Sequence, residues 1–303
     1  MNRPVSGEGL ARALPATIPG LSGRERVGQK AKSPARSGRF VREGPVGVGA
    51  VALALLIGFI ALPLASLVIW TVSEESWEAM THPAALDALR LSAFTTATTM
   101  GIILLVGTPA AYVLARCEFP GKRLVDTLVD IPAVLPPSAA GIALLLAFGR
   151  AGLLGEHLSA LGINVSFSTA AVILAELFVA SHFYVRQASV GFAQVDRSVE
   201  ESAMVDGARR ITVFMRVTVP LAFPALLAGA VTAWARALGE FGGTIIFAGN
   251  FRGITQTIPL AIFSELERDF DAAVALSVLV LAFAFAVILT TRFLTRRATE
   301  FER

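Results

Sequence analysis

Long runs without a charged residue constrain this chain more than any other feature. The stretches enclosed by Glu43 and Glu74, Arg90 and Arg116, Asp130 and Arg150, and Asp271 and Arg292 each hold at least 19 uncharged, mostly apolar residues. A bilayer core about 30 Å thick takes roughly 20 apolar residues in a helix, whose internal hydrogen bonds satisfy the backbone where water cannot. Two further stretches are apolar enough to insert despite polar residues. One runs from about Ser168 to Tyr184 and contains Glu176 and His182; the other starts near Pro220 and reaches Arg236 and Glu240. The chain therefore reads as an all-α integral membrane protein with about six transmembrane helices, predicted at 45–72, 91–115, 131–149, 168–185, 219–241 and 272–292. With 54% of its 303 residues hydrophobic and 16% charged, it is not an ordinary soluble domain. The single cysteine, Cys117, rules out an intramolecular disulfide, and no Cys/His spacing resembles a metal site, so neither a resident metal nor a cofactor is expected.

Lys and Arg orient the spans, because positive charge near span ends stays on the cytoplasmic side. With the N-terminus inside, 21 of the 26 basic residues fall in cytoplasmic segments. Four lie outside (Arg90, Arg150, Arg252 and Arg268), and Arg236 lies within the fifth span. Both termini are then cytoplasmic, and residues 295–303 form a short cytoplasmic end. The first 44 residues carry a net charge of +6 against −3 for the remainder, and their Pro and Gly content without apolar periodicity predicts a basic disordered tail. No signal-peptide core precedes Val46, so the first apolar run is expected to remain as an anchor.

Prolines punctuate the pattern. Pro136-Pro137, followed by Ser138, predicts a kink or broken helix in the third span, and irregular backbone at membrane depth survives only when buried in protein or lining a cavity. That segment is a candidate pathway wall. Pro220 fits a helix first turn, where its missing N–H costs nothing.

The cytoplasmic segment 186–216 is the most informative. There Glu200-Glu201-Ser202-Ala203 is followed, after three intervening residues, by Gly207 and, after nine more, by Val217-x-Val219-Pro220. A force-transmitting loop needs a short rigid helix with a flat face, and Gly207 permits the positive-φ turn that ends one. This spacing resembles the EAA loop of binding-protein-dependent ABC permeases, in which Glu-Ala-Ala, three residues, Gly, nine residues and Ile-x-Leu-Pro recur. Ser202 replaces one Ala, and two Val replace Ile and Leu. The resemblance implies a type I ABC importer permease fold over residues 88–294, in the cell (inner) membrane. It also implies cytoplasmic ABC ATPase subunits docking on Glu200, Glu201, Ser202, Ala203, Gly207, Val217 and Pro220, an extracytoplasmic binding protein, and a second permease copy as a homodimer. The chain has no Gly-x4-Gly-Lys-Ser/Thr phosphate loop, its Gly121-Lys122 pair being followed by Arg123. It reads as a transport subunit, not an enzyme, with ATP bound by the partner.

The stretch from Trp234, reading WARALGEFGGTIIFAGNFRGITQTIPLAIF, together with Pro132–Ser138 and Gly149–Gly155, resembles molybdate permeases. Sulfate and tungstate permeases share its Gly-Glu-Phe-Gly part. The cargo implied is an oxyanion, molybdate first, with sulfate, thiosulfate or tungstate as alternatives. A secondary transporter is a reading of another class, and the inverted repeats it usually shows are not evident. Charged residues at membrane depth cost about 2.5 to 3.5 kcal/mol each and mark candidate sites. Arg236 and Glu240 are four apart, which suits either an intrahelical ion pair or a guanidinium offered to the anion. For Glu176 a structural role is expected, as a protonated acid or paired with His182 or Arg236.

Overall fold

The computed structural model describes residues 43–71 and 80–300. The predicted tail lies outside the described residues, except for its last two positions, where the first helix already begins. The chain separates into two units after Ile57, within α1 (Glu43–Trp70), and every candidate site residue belongs to the second, Gly58–Arg303. Among the described residues all regular structure is helical, with five helices long and apolar enough to cross a membrane, or six if one sharply bent pair counts as a span.

α1 is apolar on every side from Gly47 to Trp70, as a helix in lipid must be. α2 (Pro83–Arg116) spans 34 residues, opening on Pro83 and a His82 cap whose Nδ1 accepts the Ala84 N–H at 3.3 Å. Its buried positions recur every three or four residues from Ala85 to Leu114, and the stripe is small and hydroxylic, including Ser92, Thr95, Thr96, Thr99 and Gly107. In lipid the hydrophobic effect does not drive helices together, so small residues that allow close approach carry the packing.

The central helix is α6 (Thr169–Gln194), longer than the predicted 168–185. It packs against both α2 and α9 (Val219–Leu238). Its core runs through Ala180, Tyr184, Ala188 and Phe192, and the Tyr184 hydroxyl lies 2.6 Å from Thr108 Oγ1. At the α6–α9 crossing, a Cβ on Gly191 would stand 2.5 Å from Ala225 Cβ. Overpacking a tight contact costs about 1 to 3 kcal/mol. Gly191→Leu is therefore expected to lower the thermal unfolding midpoint in detergent clearly, while Gly101→Leu, which meets open space, leaves it unchanged.

The third span breaks at Pro136-Pro137, as those prolines predict, but its helical part starts at Lys122 and not at 131. Two helices, α3 (Lys122–Val134) and α4 (Pro137–Phe148), meet at 118°. At 1.5 Å per residue they reach only about 20 and 18 Å, so neither crosses alone. Pro136 is the cause. Leu135 is pushed into extended backbone (ψ 128) before it, and Pro137 then opens α4 at its first turn. Pro132 lies within the last turn of α3 without breaking it.

The fifth span also differs. Helix begins at Arg210 and not at 219: α8 (Arg210–Val213) runs through a π-helical turn, Phe214–Thr218, into α9. Pro220 is thus inside a continuous helical run. Lacking an N–H and crowding the carbonyl four residues back, it is accommodated by the wider turn, in which Val219 N–H bonds to Phe214 O. The cytoplasmic segment predicted as 186–216 shrinks accordingly to about 195–209, holding α7 (Arg197–Val205). On the outer side, α5 (Gly155–Ala160) is a single short helix. After α9 the chain breaks at Gly239–Phe241, short of the predicted end at 241, and continues as α10 (Gly242–Phe247) and α11 (Ile258–Leu266), neither of them predicted. It closes on α12 (Phe270–Glu300).

Candidate functional site

Two regions gather the predicted site residues. The first is α7. Asp196 caps it, its carboxylate accepting the Ser198 N–H at 2.9 Å, and the Ser198 amide and hydroxyl hold that carboxyl below the usual range. At the other end Gly207 N–H bonds to Met204 O (3.0 Å) and Ala208 N–H to Ala203 O (3.1 Å), with Gly207 at φ +89°. That paired closure satisfies the last carbonyls and stops the helix, as the Gly predicts. Glu201, Ser202, Met204 and Val205 are exposed and Ala203 is half-buried, so the helix presents a free face. Glu200, assigned to the same docking loop, is instead turned inward and is 8% exposed. Val217 is half-buried in the π turn, and Pro220 is exposed within the fifth span.

The second region lies where two broken backbones meet, at the α3–α4 break and at the end of α9. Pro136, Pro137 and Ser138, all exposed, form the α3–α4 break, and α10 packs directly on α4. The approach is so close that a Cβ on Gly242 would stand 2.6 Å from Pro137 Cβ. A Cβ on Gly141 would lie 2.9 Å from Gly243 O. Glu240 ties this junction together. Its Oε1 accepts the Gly243 N–H at 2.8 Å, and its Oε2 stands 2.8 Å from Arg236 Nη2, an ion pair in which no hydrogen bond is aimed at Oε2. Glu240 is 2% exposed, whereas Arg236 keeps 29% of its side chain exposed. The intrahelical pairing expected from the spacing is thus present, although Glu240 itself sits just beyond the helix end. Pro136 to Ser138 and Glu240 to Gly243, a hundred residues apart, are brought together.

Other charges go elsewhere. Glu176 pairs with neither His182 nor Arg236. Thr95 donates to its Oε1 at 2.8 Å and Thr99 to its Oε2 at 2.7 Å, locking α6 to α2. All three residues are almost fully buried. His182 Nδ1 is 3.0 Å from Val129 O and 3.2 Å from Asp130 Oδ1. Arg186 grips Asp130 with Nε (2.5 Å) and Nη2 (2.6 Å), and Asp126 with Nη1 (3.1 Å). This cluster holds α3, which buries no side chain of its own, against α6. Reading the sequence missed Thr95, Thr99, Asp126 and Asp130. Two hydroxyls four apart within an apolar span, at a helical repeat, were the available signal.

Residues 104–300 match the family described as binding-protein-dependent transport system inner membrane component. The chain is similar to the molybdenum transport system permease protein ModB of Mycobacterium tuberculosis, at 44% identity over 77% of this chain and 88% of that one. It is 32% identical to the sulfate transport system permease protein CysT of Synechocystis, over 79% and 85%. In three dimensions it resembles a chain of a bacterial ABC transporter involved in the import of alginate, with a TM-score of 0.64 at 17% identity, covering 84% and 96%. It also resembles a chain of the inward-facing MetNI methionine ABC transporter, with a TM-score of 0.57 at 16% identity, covering 75% and 99%. The broken third span, the Gly-terminated α7 and this likeness agree. The protein belongs to the binding-protein-dependent transport system inner membrane components, as a multi-pass transport subunit with the type I ABC importer permease fold.

Proposed function

We propose that the chain forms the membrane pathway of an ATP-driven importer whose cargo is molybdate. The observation that carries this reading is the 44% identity, over most of both chains, to a permease named for molybdenum transport, against 32% for one named for sulfate. Cytoplasmic ATPase subunits dock on the free face of α7, a loaded binding protein docks outside, and a second copy of the chain completes the pathway. ATP binding closes the ATPases, the α7 helices carry that motion into the spans, and the oxyanion passes from the binding protein into the opened cavity. Hydrolysis by the partner resets the inward-facing state, so the chain itself needs no cofactor. Arg236, partly exposed near the end of α9, offers a guanidinium suited to a tetrahedral oxyanion, and Glu240 holds it in place.

The test is uptake of labelled molybdate into vesicles holding this chain, its ATPase and its binding protein, with sulfate and tungstate as competitors. ATP-dependent uptake that molybdate outcompetes best is the expected result. Uptake that persists without the ATPase overturns the importer, and preference for sulfate removes the cargo while leaving the class.

A further inference from the structure

α7 buries a single side chain, and that side chain is the Glu200 carboxylate. A short helix packed on a membrane domain ordinarily buries apolar residues, and burying a carboxylate is costly unless it is hydrogen-bonded and paired. Glu200 is both. Thr218 donates its hydroxyl to Oε1 at 2.6 Å, and Arg116 Nη2 stands 3.4 Å from the same oxygen. Arg116 Nη2 also donates to Val195 O at 2.7 Å, gripping the chain just before α7 begins. Arg116 is the last residue of α2, and Thr218, with no exposed surface, closes the π turn that leads into α9. One carboxylate oxygen thus joins three elements: the docking helix, the inner end of α2 and the irregular turn of the fifth span.

We propose that Arg116, Glu200 and Thr218 form the joint that transmits movement of α7 to α2 and α9. This rests on the function proposed above. Without the joint, α7 has no buried side chain against the spans and is held by surface contacts with α8 and the π turn and by its connecting segments, 195–196 and 206–209, the second containing Gly207 at positive φ. A push on such a helix is absorbed by the connections and does not reach the spans. With the joint, α7 is attached through a buried side chain while Glu201, about 100° around the helix, stays exposed for docking. The π turn gives the receiving end a wider, irregular hydrogen-bond register, of the kind frequent at functional sites. Arg116, Glu200 and Thr218 are positioning residues: none needs to touch the cargo or the ATPase.

The experiment has two arms. In vesicles holding the assembled importer, Glu200→Ala is expected to retain the ATPase through purification but to lower molybdate uptake per ATP hydrolysed by about 10-fold, the scale of a typical coupling energy. Thr218→Val, which keeps shape and removes the hydroxyl, shifts the same ratio downward, and Thr218→Ser restores it. Unchanged uptake per ATP in Glu200→Ala and Thr218→Val overturns the joint. Loss of the bound ATPase in Glu200→Ala also overturns it, by assigning Glu200 to the docking face. In the second arm, thermal unfolding of the purified full chain compares Arg116→Gln, Glu200→Gln and the double variant. Midpoint shifts smaller together than their sum support the joint, and additive shifts refute it. A wild-type complex without ATP-driven uptake fails the importer reading, and the unfolding arm still decides whether the joint exists.

Discussion

Glu201→Arg is expected to bring ATP-driven uptake down to background while the protein still inserts and folds. Glu201 is exposed on α7, about 100° around the helix from the buried Glu200, so its replacement strains no packing. It alters the face proposed to meet the ATPase. A like-charge contact or a lost charge pair in a docked interface costs several kcal/mol, and each 1.4 kcal/mol is tenfold in binding, so a loss of roughly 100-fold or more follows. The measurement is uptake alongside ATPase retained on purification. Both should fall together, in contrast to Glu200→Ala, which keeps the ATPase and loses coupling. Wild-type uptake in Glu201→Arg would falsify the assignment of this face.

Glu240→Leu carries the second large effect. It leaves the Gly243 N–H without its acceptor and Arg236 without its anion, at a junction where Gly242 and Pro137 allow no rearrangement without backbone movement. Removing one partner of a buried pair costs about 3 to 5 kcal/mol, and the partial exposure of Arg236 places this case near the lower end. The unfolding midpoint should drop strongly and uptake with it. Glu240→Gln keeps an oxygen for Gly243 and loses only the charge, so most of the stability should return while Arg236 is no longer held. Glu240→Leu as stable as wild type would show that the pair does not hold the junction.

Much of the α7 region was legible from local chemistry. Gly207 announces a helix end because few other residues adopt its backbone angle, and the structure ends α7 there. Pro136 announces a break because it cannot donate and restricts the residue before it. Pro220 misled for the same reason: a proline at a span start and a proline inside a span with a π turn look alike in sequence. The π turn depends on how the following helix packs, which neighbouring residues do not reveal.

The apolar spans, their orientation and the short helix ended by Gly207 were legible in the sequence alone, since hydropathy and charge are sums over neighbours along the chain and the membrane reads them directly. Only the tertiary structure decided which way each polar group turned. Glu176 could meet several partners by composition, but it found Thr95 and Thr99, 81 and 77 residues away. Glu200 and Glu201 are adjacent and chemically alike, yet one is buried against Thr218 and Arg116 and the other is exposed. A buried carboxylate is stable only where donors from other helices converge on it, and that convergence exists only once the helices have packed.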